Sequence, residues 1–128
     1  MNKTFVIPPN KDLKVNTALG KHIIAEVYFE NSEILNDDKK LVEAMELASI
    51  RGGMTVITSS SHKFTPHGAT AIVMLSESHV SIHTWPEFGY AALDIYTCGK
   101  NPERVYEELL KILPIKKSKV KIIERGLY

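Results

Sequence analysis

Along most of this chain apolar and polar residues alternate, and where they stop alternating they recur at helical spacing. Gly20 to Glu30 carries Ile24, Val27 and Phe29 in a β-forming run closed by Asn31-Ser32, which predicts a strand. Leu41, Met45 and Ala48, with Val42 and Ala44 beside them, predict a helix from about Asp37 to Arg51. Asn36, Asp37 and Asp38 suit its start, and Gly52-Gly53 its stop. Met54 to Thr65 reads as a strand ended by Pro66, and Ala69 to Glu77 as its hairpin partner across the His67-Gly68 turn. His79 to Trp85 and Tyr90 to Cys98 are two further strands, parted by Pro86 and the turn Glu87-Phe88-Gly89. Pro102 to Leu113 reads as a second helix, with Asn101 as cap and Val105, Leu109, Ile112 and Leu113 as its apolar stripe. Lys119 to Glu124 is the last strand, with Lys119 and Lys121 on one face and Val120 and Ile122 on the other. The run Lys116 to Lys121 reads as a solvated sheet edge, because lysines there block edge-to-edge pairing. Met1 to Thr17 is read as an arm, since Pro8-Pro9 prevents a regular element.

The order strand, helix, four strands, helix, strand predicts an α+β fold. It is a two-layer α/β sandwich, with a mainly antiparallel sheet and two helices on one face. The other sheet face would lie bare. A second copy packed sheet to sheet would cover it, making a dimer and an αββα four-layer sandwich.

Composition narrows the classes of function. The 128 residues suit a single domain, 1–128, able to bury a core without disulfides or metal. Sixteen Lys and Arg against fifteen Asp and Glu exclude the strong basic excess of a nucleic-acid or acidic-membrane binder. One cysteine, Cys98, excludes an internal disulfide framework and points to a reducing compartment. No apolar run approaches a membrane span, and the first residues carry no signal-peptide core, so a cytoplasmic location is expected.

Candidate chemistry concentrates between Ser76 and Cys98. Strand alternation puts His79, Ser81, His83 and Trp85 on one face and Val80 and Ile82 on the other. Serine and histidine suit a plain solvated face, yet two histidines, three serines and two carboxylates fall within twelve residues without a lysine. Three chemistries compete. His79 and His83 with Glu87 or Cys98 offer metal ligands, although residues four apart on a strand are about 13 Å apart. Cys98 with His83 offers a thiol nucleophile and base. A self-processing serine is the third.

The runs Leu75-Ser-Glu-Ser-His79, Ile82-His-Thr-Trp-Pro-Glu87 and Gly89-Tyr-Ala-Ala-Leu-Asp-Ile-Tyr-Thr-Cys-Gly99, with the opening Leu19-Gly-Lys-His22, carry a resemblance. The chain resembles the prokaryotic S-adenosylmethionine decarboxylase proenzymes, pyruvoyl-dependent enzymes, from about Leu19 onward. The resemblance implies autocatalytic cleavage between Glu77 and Ser78. It divides the chain into an arm (1–18), a β-chain core (19–77) and an α chain (78–128). By that likeness Ser78 attacks the Glu77 carbonyl, Thr70 supplies the hydroxyl at the oxyanion and His83 removes the Ser78 α-proton. Threonine stands at Thr70 where serine is commonest in the family. Ser78 becomes a pyruvoyl cofactor, whose carbonyl takes the substrate amine as a Schiff base and acts as an electron sink. Cys98 matches the family's proton donor. A thiol suits that step, being largely protonated at neutral pH yet ready to release its proton.

For substrate, the likeness assigns Glu87 to the ribose hydroxyls and Phe64 to stacking on adenine. No metal is implied. The expected partners are S-adenosylmethionine and a second protomer, with active sites at the dimer interface, so that Thr70 and His83 can serve the partner's Ser78. The expected product is the aminopropyl donor for spermidine and other polyamines. Two alternatives stand beside this reading: the same pyruvoyl machinery acting on arginine or ornithine, and a dimeric nucleoside-binding module that never cleaves itself.

Overall fold

The computed structural model describes residues 18–99 and 101–127. The arm falls outside them, except that Ala18 already opens the first strand. In chain order the elements are β1 (Ala18–Phe29), α1 (Asp38–Arg51), β2 (Val56–Lys63), β3 (Ala69–Leu75), β4 (Ser78–Trp85), β5 (Tyr90–Cys98), α2 (Pro102–Ile112) and β6 (Ile115–Leu127). Short 3-10 turns cover Glu33–Asn36 and Pro86–Phe88. The six strands form one antiparallel sheet in the order β2-β3-β4-β5-β1-β6.

Both helices lie on one face of the sheet. The Asp37 side chain accepts from Lys40 N at 3.1 Å and starts α1, and Gly52 closes it by donating to Ala48 O at 2.8 Å. Gly52 also admits α2, because a β-carbon there would meet the Val105 side chain at 2.7 Å. Asn101 starts α2 by accepting from Glu103 N, with Pro102 in the first turn. Leu41, Met45 and Ala48 of α1 and Val105 and Leu109 of α2 are buried against Ile23, Val27, Val73, Val80, Ile82, Leu93 and Ile95 of the sheet. Each of these side chains except the smaller Ala48 adds about 1.5–3 kcal/mol when fully buried.

The strand alternation holds in three dimensions. Val80, Ile82 and Thr84 point into the core, while His79, Ser81, His83 and Trp85 occupy the outer face. That outer face carries no helix. Ile24, Ile72, Met74, Trp85 and Ile123 all stand on it, each about two-fifths or more exposed.

The last strand is twice as long as the pattern predicts. It pairs with β1 from Ile115 opposite Phe29 to Leu127 opposite Ala18, with a register shift at Tyr28/Phe29. Backbone pairing, not side-chain burial, extends it, so its polar ends carry no alternation signal. Its lysines do mark an edge: β6 ends the sheet, and Lys117 covers the Tyr28 ring at 5.1 Å.

Candidate active site

Ser76 and Glu77 form the turn between β3 and β4, with Leu75 paired to Ser78 across it. Ser76 N donates to Thr55 O at 3.0 Å and ties the turn to the segment before β2. Glu77 has φ 62°, the one non-glycine with positive φ among the described residues. That region costs an L-residue about 1–2 kcal/mol. A hairpin turn with positive φ at its second loop position normally takes Gly or Asn. Here a glutamate occupies it, so backbone strain sits on the residue whose carbonyl precedes Ser78.

The Ser78 hydroxyl accepts from Cys98 N at 3.2 Å, across the β4–β5 pair. Cys98 is half-buried, and its thiol donates to the Tyr96 hydroxyl at 3.6 Å. Met54, Thr55, Ser76, Glu77 and Cys98 line a cleft of about 200 Å³ at this end of the sheet. A larger hollow of about 320 Å³ lies among Asn31, Ile34, Lys40 and Pro114, and neither Ser78 nor Cys98 lines it.

Beside this cleft lies a second layer of polar groups. His22 Nε2 is 2.9 Å from Asp94, and Arg125 donates to His22 Nδ1 at 3.2 Å. An arginine can only donate, so the His22 proton sits on Nε2 and points at Asp94. His79 stacks on Tyr96 at 5.8 Å, and its pKa is lowered chiefly by burial and next by neighbouring His22. Arg125 lies over the Tyr96 ring at 5.8 Å. The hydrogen bond from Cys98 first, and burial second, hold the Tyr96 phenol above its ordinary range, with Arg125 pulling the other way.

The remaining sequence-predicted residues gather at the opposite end. Thr70 Oγ1 lies 2.9 Å from His83 Nδ1, as the register of β3 on β4 dictates. Phe64 is about half exposed and packs edge-on against His62 at 4.7 Å. Glu87 Oε2 lies 3.1 Å from His67 Nε2. Its own backbone N–H first, then His67, hold the Glu87 carboxyl below the usual carboxylate range. The β2–β3 loop is fixed here by Gly68 N donating to Asn36 Oδ1 at 2.7 Å. Buried Thr84 accepts from Ala69 N and donates to Leu35 O, bracing the same loop from β4.

The structure therefore brings Glu77, Ser78 and Cys98 together, and Thr70, His83, Phe64 and Glu87 together, but separates the two groups. Ser78 and His83 stand five positions apart along β4, about 17 Å. Among the described residues no three His, Cys, Asp or Glu side chains are grouped to hold a metal ion. The sequence motifs assign no role to Tyr96, His22, Asp94 or Arg125. For Tyr96 a signal existed: it stands two residues before Cys98, on the same strand face.

A residue in the left-handed region directly before a serine, beside a thiol and on an antiparallel two-layer scaffold, fits the class of self-processing enzymes. Comparison with known proteins agrees. Residues 21–126 match the family model described as S-adenosylmethionine decarboxylase. The chain is 42% identical over 113 residues to the S-adenosylmethionine decarboxylase proenzyme of Thermotoga petrophila, covering 87% of each chain. It is 46% identical over 112 residues to that of Methanococcus maripaludis, covering 85% of this chain and 91% of the relative. The crystal structure of the adenosylmethionine decarboxylase from Aquifex aeolicus superposes with a TM-score of 0.80 at 36% identity, over 87% of this chain and 93% of that one. The chain belongs to the S-adenosylmethionine decarboxylase family.

Proposed function

We propose that this protein is a proenzyme that cleaves itself between Glu77 and Ser78 and then decarboxylates S-adenosylmethionine, yielding the aminopropyl donor for polyamine synthesis. The observation that carries the reading is Glu77, held at φ 62° directly before a serine whose hydroxyl is oriented by Cys98 N. Strain in that peptide raises the ground state that cleavage relieves. The relatives reported above are all named for S-adenosylmethionine, which favours that substrate over arginine or ornithine.

In processing, the Ser78 hydroxyl adds to the Glu77 carbonyl and the amide becomes an ester. The hydroxyl of Thr70 stabilises the oxyanion. His83 then takes the Ser78 α-proton, the Glu77 carboxylate leaves, and water releases ammonia to complete a pyruvoyl group at position 78. Thr70 orients His83 through its hydrogen bond to Nδ1, leaving Nε2 for the proton. The surroundings of residue 78 fit the group, since Cys98 lies beside it and the cleft opens next to it. When formed, the group supplies an electrophilic carbonyl and an electron sink for loss of carbon dioxide. Cys98 supplies the proton that replaces carbon dioxide. Glu87 holds the ribose hydroxyls and Phe64 stacks on the adenine.

We infer further that the working unit is a homodimer with outer faces packed together as a four-layer sandwich. Two observations support this. The outer face exposes Ile24, Ile72, Met74, Trp85 and Ile123, more than a monomer's scattered apolar residues. A cleft of about 200 Å³ is also smaller than the roughly 300–1,000 Å³ of ordinary ligand pockets. Pairing about a two-fold axis sets the Thr70–His83 end of one protomer over the Ser78–Cys98 end of the other. No helix among the described residues is long and apolar enough to cross a membrane.

Intact-mass measurement tests processing: two fragments divided after Glu77 are expected, and one uncut chain overturns it. Carbon dioxide release from S-adenosylmethionine, arginine and ornithine, side by side, tests the substrate. Release from either amino acid alone transfers the assignment to that substrate. Borohydride trapping of substrate on the C-terminal fragment separates an enzyme from a mere nucleoside-binding module.

A further inference from the structure

We propose that Tyr96 is a positioning residue for Cys98, holding the thiol toward residue 78 and donating a hydrogen bond to the sulfur once its proton has gone. This rests on the reading of Cys98 as the proton donor. Residues 96 and 98 share one face of β5, and the Cys98 thiol reaches the Tyr96 hydroxyl at 3.6 Å. The phenol is itself located from several sides. His79 stacks on its ring from β4, His22 meets it edge-on from β1, and the Arg125 guanidinium covers it from β6. Gly20, paired with Cys98, leaves the space the phenol fills: a β-carbon at that position would collide with the Tyr96 hydroxyl.

Proton balance fits this geometry. The Cys98 S–H bond breaks, a C–H bond forms at the carbon that lost carbon dioxide, and the sulfur is left as a thiolate. The phenol then turns its O–H toward the sulfur and keeps its own proton, a hydrogen bond to an anion being stronger than one to a neutral thiol. A phenol keeps its proton at neutral pH, so the donor stays available after the thiol has given up its own. The titratable and charged groups facing the pair are His22, His79, Asp94 and Arg125, with Glu77 on the cleft rim.

Cys98 is the only cysteine in the chain, so thiol alkylation reads this one sulfur. The experiment follows iodoacetamide alkylation of the processed protein against pH, in wild type, Tyr96→Phe and Gly20→Ala. The second variant displaces the hydroxyl without removing it. The expected result is a half-plateau pH that moves upward in both, with alkylation at pH 7.5 slowed roughly three- to ten-fold, the weight of one hydrogen bond. For Tyr96→Phe, kcat should fall by a similar factor with KM unchanged and cleavage after Glu77 complete. An unchanged alkylation profile in both variants, or faster alkylation from simple unshielding of the sulfur, overturns the proposal. If wild type alkylates as expected and Tyr96→Phe shifts the profile, but neither protein releases carbon dioxide from S-adenosylmethionine, the functional reading fails while the Tyr96–Cys98 pairing stands.

Discussion

The two ends of the sheet are built from the same strands, yet they differ in kind. At the Ser78 end the groups are held by backbone: a left-handed Glu77, a hydroxyl accepting from Cys98 N, and a turn tied to Thr55 O. At the Thr70 end they are held by side chains: Thr70 on His83, His67 on Glu87, Asn36 on the loop at Gly68. A nucleophile aimed at its own chain needs a backbone geometry, because the bond it attacks is backbone. On the proposed reading, the base His83 and the substrate contacts need only reach the right point in space, where a partner protomer would deliver them.

The largest effect that tests this contrast is Ser78→Ala, which should leave a single uncut chain by mass and no carbon dioxide release. His83→Ala should slow cleavage by about 10²–10⁴-fold, the weight of a general base. The sharper form mixes these two impaired variants. If the ends meet across a dimer, co-expression restores one intact site per mixed dimer, about a quarter of all sites at random pairing. No recovery on mixing would break the comparison. Cys98→Ala should still cleave but turn over about 10²-fold or more slowly, which separates the thiol from processing. Thr70→Val should slow cleavage by about 10²-fold, the weight of one oxyanion donor, and Thr70→Ser should restore it.

The smallest effect is a pH dependence of stability. The His79 pKa is lowered on folding, so between its unfolded value near 6.5 and the lower folded value the unfolded chain binds more protons. Its full stability is therefore present above that unfolded value and is lost as pH falls toward the folded one. Melting temperature should drop between pH 7.5 and pH 5, and His79→Gln should flatten part of that slope while leaving the Thr70 end unaffected.

Much of this fold was legible in the residue pattern. Tyr90 to Cys98 matches β5 at both ends, and Asp37 and Asn101 cap the two helices as their residue types require. The site motif was legible too, because its runs lie on adjacent strands joined by tight turns. What escaped was contact between distant residues: His22 with Asp94, 72 positions apart, and Arg125 with His22, 103 apart. The strain at Glu77 also escaped, since a glutamate in a turn reads as ordinary polarity and its φ is set by the pairing of Leu75 with Ser78.

By itself the sequence determined the element types, the face each strand residue takes and the chemical types of the candidate groups, because these follow from periods of 2 and 3.6 and from side-chain chemistry. Only the tertiary structure decided which groups meet. Strand order and register are collective properties of the whole sheet, and they put Ser78 beside Cys98 and Tyr96 while holding His83 about 17 Å away along the same strand.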